Sequence, residues 1–167
     1  TRDVAIKFNN RYGDTLVIPE ALTNEETKYV IGTNGEKMSK SKNNIIDIFL
    51  DEKSLKKQIM SIETDSTPLE SPKQFEVCNV FKIYSLLGSP DQVKNLKNKY
   101  KNGGFGYGHA KQELYELILE KFQLEREKYN YLMSNKKEID LILNEGANKA
   151  SKTAKEVMNR VRKKLGY

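Results

Sequence analysis

The sequence contains almost none of the residues that cross-link chains or bind metal ions. Its 167 residues include one cysteine, Cys78, one histidine, His109, and no tryptophan. One cysteine excludes an internal disulfide, and one cysteine with one histidine gives no metal-ligand spacing, so the sequence predicts no metal site. Cys78 lies in an apolar run and is interpreted as a small core residue. His109 follows a glycine-rich stretch and opens a predicted helix, which indicates a structural role.

Long hydrophobic runs and targeting signals are also missing. No stretch approaches the ~18 consecutive apolar residues of a membrane-spanning helix. No signal-peptide pattern stands at the N-terminal end, so the sequence predicts a cytoplasmic protein that does not associate with membranes. Glycine and proline are few, with ten and four residues, which argues against a globally disordered chain.

The positive charge is concentrated at the C-terminal end. The chain is 31% charged and only 37% hydrophobic, which is typical of helices with narrow apolar stripes and much solvated surface. From Gly146 to Tyr167 seven basic residues face one acid, Glu156, and this excess of six equals the net charge of the whole chain. A basic helix attracts a polyphosphate such as tRNA, and the alternative is an ordinary solvated face. The candidate tRNA-binding residues are Arg160, Arg162, Lys163 and Lys164.

The first third of the chain has a mixed α/β pattern. Apolar residues at helical spacing predict a helix over residues 2–12, and Gly13 offers its end. Two short apolar runs, Leu16–Ile18 and Tyr29–Ile31, predict strands. Two strands are too few for an independent parallel sheet. A loop rich in Gly, Ser, Asn and Lys follows from Gly32 to Asn44 and is predicted to be flexible.

After residue 51 the pattern is helical. The apolar spacing predicts five further helices, one of which begins at about Phe75 and closes at Gly88. The next opens on Ser89 and Pro90, an N-cap followed by a proline at the first helical position. The fourth spans about 25 residues, and the last carries three alanines that suggest close approach to a neighbouring helix. We therefore predict a mainly α fold, with an antiparallel helical bundle over residues 51–167.

The glycine-containing loop carries the string Lys37-Met38-Ser39-Lys40-Ser41. Two lysines three positions apart on a mobile loop can close over a polyphosphate as point charges. The hydroxyl groups of Ser39 and Ser41, together with free backbone N–H groups, can bind its oxygen atoms. A strand before the loop and a predicted helix entry at about Asn43 give the context that such a loop needs. A merely soluble, flexible loop is the alternative.

This string resembles the second signature of the class I aminoacyl-tRNA synthetases, and residues 42–47 fit its continuation. The tyrosine enzymes share the loop but are built differently beyond it, so they are the second choice within the class. The resemblance implies that residues 1–50 end a Rossmann-like catalytic domain and that residues 51–167 form a C-terminal helical tRNA-binding domain. Further segments are similar to the tryptophanyl-tRNA synthetase family, among them Thr1–Ala5, Ile18–Ala21, Asn79–Ser85 and Glu145–Ala150.

The resemblance implies an ATP-dependent ligase that joins tryptophan to tRNA(Trp), with ATP and Mg²⁺ as its nucleotide substrate. Lys37 and Lys40 would be the catalytic residues, because they would hold the departing pyrophosphate. Full-length members of the family would bind tryptophan through the preceding half of the chain and act as homodimers. The implied ATP-binding residues lie in the second predicted strand, which would lie beside the adenine, and in the loop: Val30, Ile31, Lys37, Met38, Ser39, Lys40 and Ser41.

The first signature of the class and the segments that would form a tryptophan pocket do not occur in this sequence, which opens on Thr1 without a methionine. We therefore expect a C-terminal half that is inactive in isolation. One alternative is a non-catalytic helical RNA-binding module that kept the loop. A partner-binding helical bundle is a further alternative, which the intact Lys37–Ser41 string disfavours.

Overall fold

The computed structural model describes residues 1–23 and 29–167 and is built mainly from α-helices. A three-residue 3-10 helix, Lys40–Lys42, lies in the long segment between the first two of them. The prediction of a mainly α fold is confirmed. The helices of the described residues are α1 Arg2–Tyr12, α2 Glu52–Met60, α3 Asn79–Leu87, α4 Pro90–Asn102, α5 Tyr107–Lys121, α6 Gln123–Ser134 and α7 Lys136–Leu165.

The chain divides into two compact units. The first unit, Thr1–Thr23 with Tyr131–Tyr167, contains α1 and α7. The second unit, Asn24–Asn130, contains α2 to α5 and the segment that carries the two candidate catalytic lysines. The domain boundary predicted at residue 50 remains a prediction about how the chain is organised.

The second unit contains nearly all of the hydrophobic core. Leu55 and Ile59 lie four residues apart on one face of α2 and are fully buried. Leu114 and Ile118 repeat this spacing in α5, and both α2 and α3 pack against α5. Each buried leucine or isoleucine side chain contributes about 1.5–3 kcal/mol of transfer free energy. This core therefore gives the attached loops a stable base.

The ends of the core helices follow signals in the sequence. Asp51 caps α2, because its side chain accepts a hydrogen bond from the N–H of Ser54 at 3.0 Å. Ser89 and Gln92 form a reciprocal capping box at the start of α4, and Pro90 occupies the first helical position as predicted. An N-cap of this kind stabilises a helix by about 1 kcal/mol.

The two predicted strands are absent from the described residues. Leu16–Ile18 has no paired neighbour there, and within Tyr29–Ile31 only Ile31 makes one isolated antiparallel bridge, to Lys37. Strands are stabilised by hydrogen bonds to an adjacent strand, and in the described parts of the chain neither segment is paired beyond this single bridge.

Three predicted helix boundaries were wrong. The helix expected at about Asn43 does not form, because Asn43 is left-handed, with φ 51° and ψ 32°, and ends the 3-10 helix. The helix expected from Phe75 starts four residues later, after a turn in which the N–H of Cys78 bonds to the carbonyl of Phe75. The 25-residue helix is interrupted at Phe122. The Phe122 ring packs against the core, and this contact outweighs the local helical pattern.

The first unit has little buried surface. Ala5 is its one core residue among the described residues. Asn9 ties α1 to the segment after it, because its side chain donates to the carbonyl of Leu16 at 2.7 Å and accepts from the N–H of Leu16 at 2.9 Å. α7 has 30 residues and none is buried. Its alanines, which we expected to approach another helix closely, are exposed: Ala147, Ala150 and Ala154.

No helix within residues 1–23 and 29–167 is both long and apolar enough to cross a membrane. Cys78 is buried as predicted, with its Sγ 3.5 Å from the hydroxyl of Tyr100. His109 lies on the exposed side of the first turn of α5, and its ring is 5.7 Å from that of Phe105. Both arrangements are those of residues that serve the fold.

Candidate functional site

The string singled out in the sequence lies in a folded loop, residues 32–44, which we call the lysine loop. The segment before it and the loop itself turn back on each other, since the N–H of Met38 donates to the carbonyl of Val30 at 2.8 Å. Inside this turn the N–H of Gly32 donates to the carbonyl of Glu36 at 2.7 Å. Gly35 has φ 77°, a left-handed conformation that glycine adopts without strain. These bonds give the loop a defined start.

Polar side chains inside the lysine loop bond to one another, although their composition predicted a flexible segment. Asn44 is 2% exposed and is the loop's buried polar residue. Its side chain reaches Asn34, Lys37 and Ser39, and its carbonyl accepts from the N–H of Thr33 at 2.9 Å. Composition cannot distinguish polar residues that face water from polar residues that satisfy each other inside a loop.

The three lysines of the loop differ in their partners. Lys42 forms an ion pair with Glu36 at 2.8 Å, and this hydrogen bond lowers the pKa of Glu36 and raises that of Lys42. Lys37 and Lys40 are exposed, and within residues 1–23 and 29–167 no hydrogen bond or ion pair reaches either ammonium group. Two of the three positive charges are therefore available for a ligand.

The two serines of the string lie beside these lysines. The hydroxyl groups of Ser39 and Ser41 are 2.9 Å apart and share a hydrogen bond. A hydroxyl retains acceptor and donor capacity after one such bond. Lys40 and Ser41 stand on the 3-10 helix that Asn43 terminates. Lysine ammonium groups and hydroxyls thus lie on one short exposed segment.

The lysine loop is attached to the helical core at two points. The N–H of Glu63, just beyond α2, donates to the carbonyl of Thr33 at 2.7 Å. Asn79, the first residue of α3, donates from its side chain to the carbonyl of Glu63 at 3.0 Å. A Cβ added to Gly35 would lie 2.7 Å from the Asn79 side-chain oxygen, so the loop packs closely on this asparagine. The core thereby fixes where the loop stands.

The residues expected beside adenine occupy two environments. Val30 is half-buried, and its carbonyl accepts the N–H of Met38. The side chain of Ile31 is buried and belongs to the hydrophobic core. An adenine contact by Ile31 would therefore use its backbone, whereas Val30 keeps part of its side chain exposed. The assignment of both residues to ATP remains a prediction.

The four candidate tRNA-binding residues are exposed, but they do not form one patch. Arg160 and Lys164 are four residues apart and share a face of α7. That face turns toward α1, because Arg160 lines a groove of about 620 Å³ with residues of α1 and Lys164 Nζ comes close to Gly13. Helical geometry places Arg162 on the opposite side and Lys163 between the two faces.

Sequence reasoning missed Asn44 and Asn79. Asn44 precedes two isoleucines, Ile45 and Ile46, but this pattern does not by itself indicate that the asparagine is buried. Asn79 carries a weak signal, since an asparagine before an apolar helical stripe indicates a helix start. Neither pattern indicates that the partner is the lysine loop, because that contact is made only in three dimensions.

Comparison with known proteins identifies the family to which this geometry belongs. Residues 1–123 match the family described as tRNA synthetases class I (W and Y). The tryptophan–tRNA ligase of Campylobacter jejuni strain RM1221 is 50% identical over 165 residues, and that of Fusobacterium nucleatum is 47% identical over 167 residues. Each match covers 99% of this chain but only 52% and 51% of the relative. The chain thus spans about half the length of the curated relatives that it matches.

Solved structures give the same result. The crystal structure of the C. jejuni tryptophanyl-tRNA synthetase complexed with ADP and tryptophan is 50% identical in sequence and superposes with a TM-score of 0.86. A second crystal structure of the C. jejuni enzyme superposes with a TM-score of 0.84 at 48% identity. Both comparisons cover 99% of this chain and 52% of the solved chain.

Proposed function

The chain belongs to the class I tRNA synthetases of the tryptophan and tyrosine type, and we propose that it is part of a tryptophan–tRNA ligase. Such an enzyme activates tryptophan with ATP and then transfers it to tRNA(Trp). The similar proteins named above are tryptophan enzymes, which favours tryptophan over tyrosine. The observation that carries the proposal is that Lys37 and Lys40, on a loop fixed to the helical core, have no bonded partner for their ammonium groups in the described parts of the chain.

The lysine loop would act on the pyrophosphate that leaves in the first step. The carboxylate of tryptophan attacks the α-phosphorus of ATP, a P–O bond breaks, and pyrophosphate departs with the bonding electrons. Negative charge therefore grows on the leaving group in the transition state. Ammonium groups already in place stabilise that charge without reorganisation. Lys37 and Lys40 would supply this charge, and Met38, Ser39 and Ser41 would contribute backbone or hydroxyl contacts to the phosphates.

The remaining nucleotide contacts follow from the same assignment. Mg²⁺ would arrive with ATP as part of the substrate. The lysine loop offers positively charged groups to the phosphates and does not offer a set of carboxylates to hold the metal ion. Adenine would lie beside Val30 and the backbone of Ile31. The complete enzyme would bind tryptophan through its other half and work as a cytoplasmic homodimer.

The basic end of α7 would contact the phosphates of tRNA. Arg160, Arg162, Lys163 and Lys164 are exposed and lie within two turns of the end of α7. Each phosphate that a basic side chain neutralises releases counterions and adds to the affinity. Basic residues on several sides of a helix end suit contacts to the sugar-phosphate backbone of tRNA, which depend on charge and do not read the base sequence.

Substitution of Lys40 tests the role of the loop. The assay protein is a hybrid in which this chain replaces the matching half of the C. jejuni enzyme, since the two share 50% identity over 99% of this chain. Lys40→Ala should slow tryptophan-dependent exchange of pyrophosphate into ATP by about 30- to 1,000-fold, the effect of removing one fixed donor worth about 2–4 kcal/mol. Tryptophan binding should change little.

Lys42→Ala is the matched control. It removes a lysine from the same loop, but the charge of Lys42 is already paired with Glu36, so the exchange rate should stay close to that of the hybrid. Normal exchange in Lys40→Ala would show that the assigned role is wrong. An unsubstituted hybrid that activates no tryptophan would contradict membership of this chain in a tryptophan–tRNA ligase.

A further inference from the structure

The interior of the lysine loop is filled by a polar residue. Asn44 is 2% exposed and ranks among the largest fully buried side chains of the described residues. An amide placed inside a protein loses its hydrogen bonds to water, and this costs free energy unless protein groups replace them. A buried asparagine in a short surface loop therefore requires a set of partners.

Those partners all belong to the loop. The Asn44 side-chain Nδ2 donates to Oδ1 of Asn34 at 2.7 Å and to the carbonyl of Lys37 at 3.2 Å. Its Oδ1 accepts from the N–H of Ser39 at 2.8 Å. Both N–H bonds of the amide are thus used, and its oxygen is bound as well. The asparagine is fully engaged without any contact that a ligand would have to supply.

The bonds to Lys37 and Ser39 lie on the two sides of Met38. They fix the carbonyl of one residue and the N–H of the other, and so they set the direction of the backbone through the middle of the string. Gly32 packs directly against Asn44, since a Cβ added there would clash with the carbonyl oxygen of Asn44. The backbone around the string is therefore determined from inside.

We propose that Asn44 is a positioning residue that presets the lysine loop, so that Lys37 and Ser39 are held where the pyrophosphate leaves. This proposal rests on the function proposed above. Lysine side chains are long and flexible, and only a fixed backbone limits the volume that their ammonium groups search. Charge stabilisation depends on donors that are in place before the reaction. Asn44 acts through the loop and touches no substrate.

Two substitutions of Asn44 remove different parts of the bonding pattern. Asn44→Ala deletes all three side-chain bonds. Asn44→Asp keeps the shape and the acceptor for Ser39, but it places a carboxylate oxygen against the Lys37 carbonyl and against Oδ1 of Asn34, where two acceptors repel. In the hybrid enzyme we expect pyrophosphate exchange at saturating ATP to fall roughly 10- to 100-fold in both variants, as for other losses of positioning.

The neighbouring Asn43 provides the control. Asn43→Gly changes an exposed asparagine at a left-handed position that glycine accepts, so exchange should be unchanged. A role in folding alone would lower the melting temperature and leave kcat of the folded fraction intact. A positioning role lowers kcat while the dissociation constant of tryptophan stays the same. In the 167-residue chain, the Ser39 N–H should exchange with solvent faster in Asn44→Ala than in the unsubstituted protein.

The outcomes separate this proposal from the proposed function. Slow pyrophosphate exchange in Lys40→Ala, together with normal kcat in both Asn44 variants, would overturn only the role of Asn44. Normal exchange in Lys40→Ala would overturn the proposed function and the role of Asn44 with it. Reduced kcat in Asn44→Ala and Asn44→Asp, with normal tryptophan binding and an unaffected Asn43→Gly, is the result that the geometry predicts.

Discussion

The lysine loop and the basic end of α7 are both proposed to bind phosphate groups, yet they are built in opposite ways. Among the described residues, two lysines of the loop have no bonded partner, and the loop backbone is held by internal hydrogen bonds and by contacts to Glu63, just beyond α2, and to Asn79 of α3. The helix end carries four basic residues on several sides of an exposed helix. Few charges in fixed places suit a chemical step, whereas many charges without a frame suit attraction to a large polyanion.

This difference shows that positive charge alone does not distinguish the two roles. The chain's excess of charge lies at the end of α7, although the chemistry is assigned to the loop. The two regions differ in the hydrogen bonds that hold the backbone carrying the charged side chains. Substitutions in the two regions should therefore change different measured quantities. The size of each effect should depend on how rigidly the substituted charge is held.

Removing the charge at the end of α7 should produce the largest effect after loss of Lys40. Replacing Arg160, Arg162, Lys163 and Lys164 together by glutamine should weaken tRNA binding by the hybrid. Each lost phosphate contact should reduce the slope of log affinity against log salt by roughly 0.7–0.9, so that four contacts give about 3. Tryptophan activation without tRNA should be unchanged. Filter binding at several salt concentrations measures both quantities.

The control for this set removes four exposed lysines from the second unit, Lys53, Lys57, Lys82 and Lys94. It lowers the net charge by the same amount but leaves α7 intact. Equal weakening by the two sets would mean that only total charge matters, and an unchanged slope in the first set would make the helix end an ordinary solvated face.

Dividing the four residues sharpens the comparison. Arg160 and Lys164 face α1, whereas Arg162 lies on the opposite side with Lys163 between. A bound tRNA backbone reaches the outward residues more easily, so Arg162→Gln with Lys163→Gln should account for more of the salt dependence than Arg160→Gln with Lys164→Gln. Equal effects of the two pairs would indicate that the charges act as a diffuse field.

Two glycines with positive φ angles compare the rigidity of the two regions. Gly35 has φ 77° and packs on Asn79, and Gly166 has φ 87° with nothing within 4 Å of an added Cβ. Alanine in a left-handed conformation costs roughly 1–2 kcal/mol. Gly35→Ala should lose at least that much stability, because Asn79 must also shift, whereas Gly166→Ala should lose less through fraying of the helix end. Thermal denaturation of the chain gives the answer, and equal losses would contradict a fixed loop.

The smallest effect is expected from the ion pair of the loop. Lys42 lowers the pKa of Glu36, and Glu36 raises the pKa of Lys42. The pair therefore stabilises the loop above the ordinary glutamate pKa of about 4.3 and is lost as pH falls through the lowered value. On the alkaline side it is present below the ordinary lysine pKa of about 10.4 and is lost as pH rises through the raised value.

Glu36→Gln removes the pair at every pH. Because both partners are exposed, its melting temperature near pH 7 should fall only slightly. The difference in melting temperature between the two proteins should disappear below about pH 4, because protonation of Glu36 then removes the pair from the unsubstituted protein as well. Thermal melts of both proteins from pH 3 to pH 7 measure the difference, and identical curves would show that the pair has no energetic role.

Local signals predicted much of the fold from the sequence. The N-cap at Ser89 and the helix end at Gly13 depend on residues close in the chain, and both form. The strands at Leu16–Ile18 and Tyr29–Ile31 failed because pairing requires a second strand, which an apolar run does not supply. The interruption at Phe122 was missed for a related reason, since it depends on packing against the core.

The candidate site divides in the same way. Lys37, Lys40 and the two serines could be found from the string itself. The internal role of Asn44 and the support from Asn79 could not be found in this way. Each depends on which residues meet in three dimensions, and spacing along the chain does not specify that. The four basic residues of the helix end were found by counting charge along the chain, and such a count does not show that the helical turn distributes them over several faces.

The claim that Asn44 holds Lys37 in place is tested most directly by a double-mutant cycle in the hybrid enzyme. Pyrophosphate exchange is measured for the unsubstituted hybrid, Lys37→Ala, Asn44→Ala and the double variant. If Asn44 acts by fixing the backbone at Lys37, Asn44→Ala should slow pyrophosphate exchange much less in the Lys37→Ala background than in the presence of Lys37. Equal factors in both backgrounds would mean that the two residues act independently, and the account of a preset loop would be contradicted.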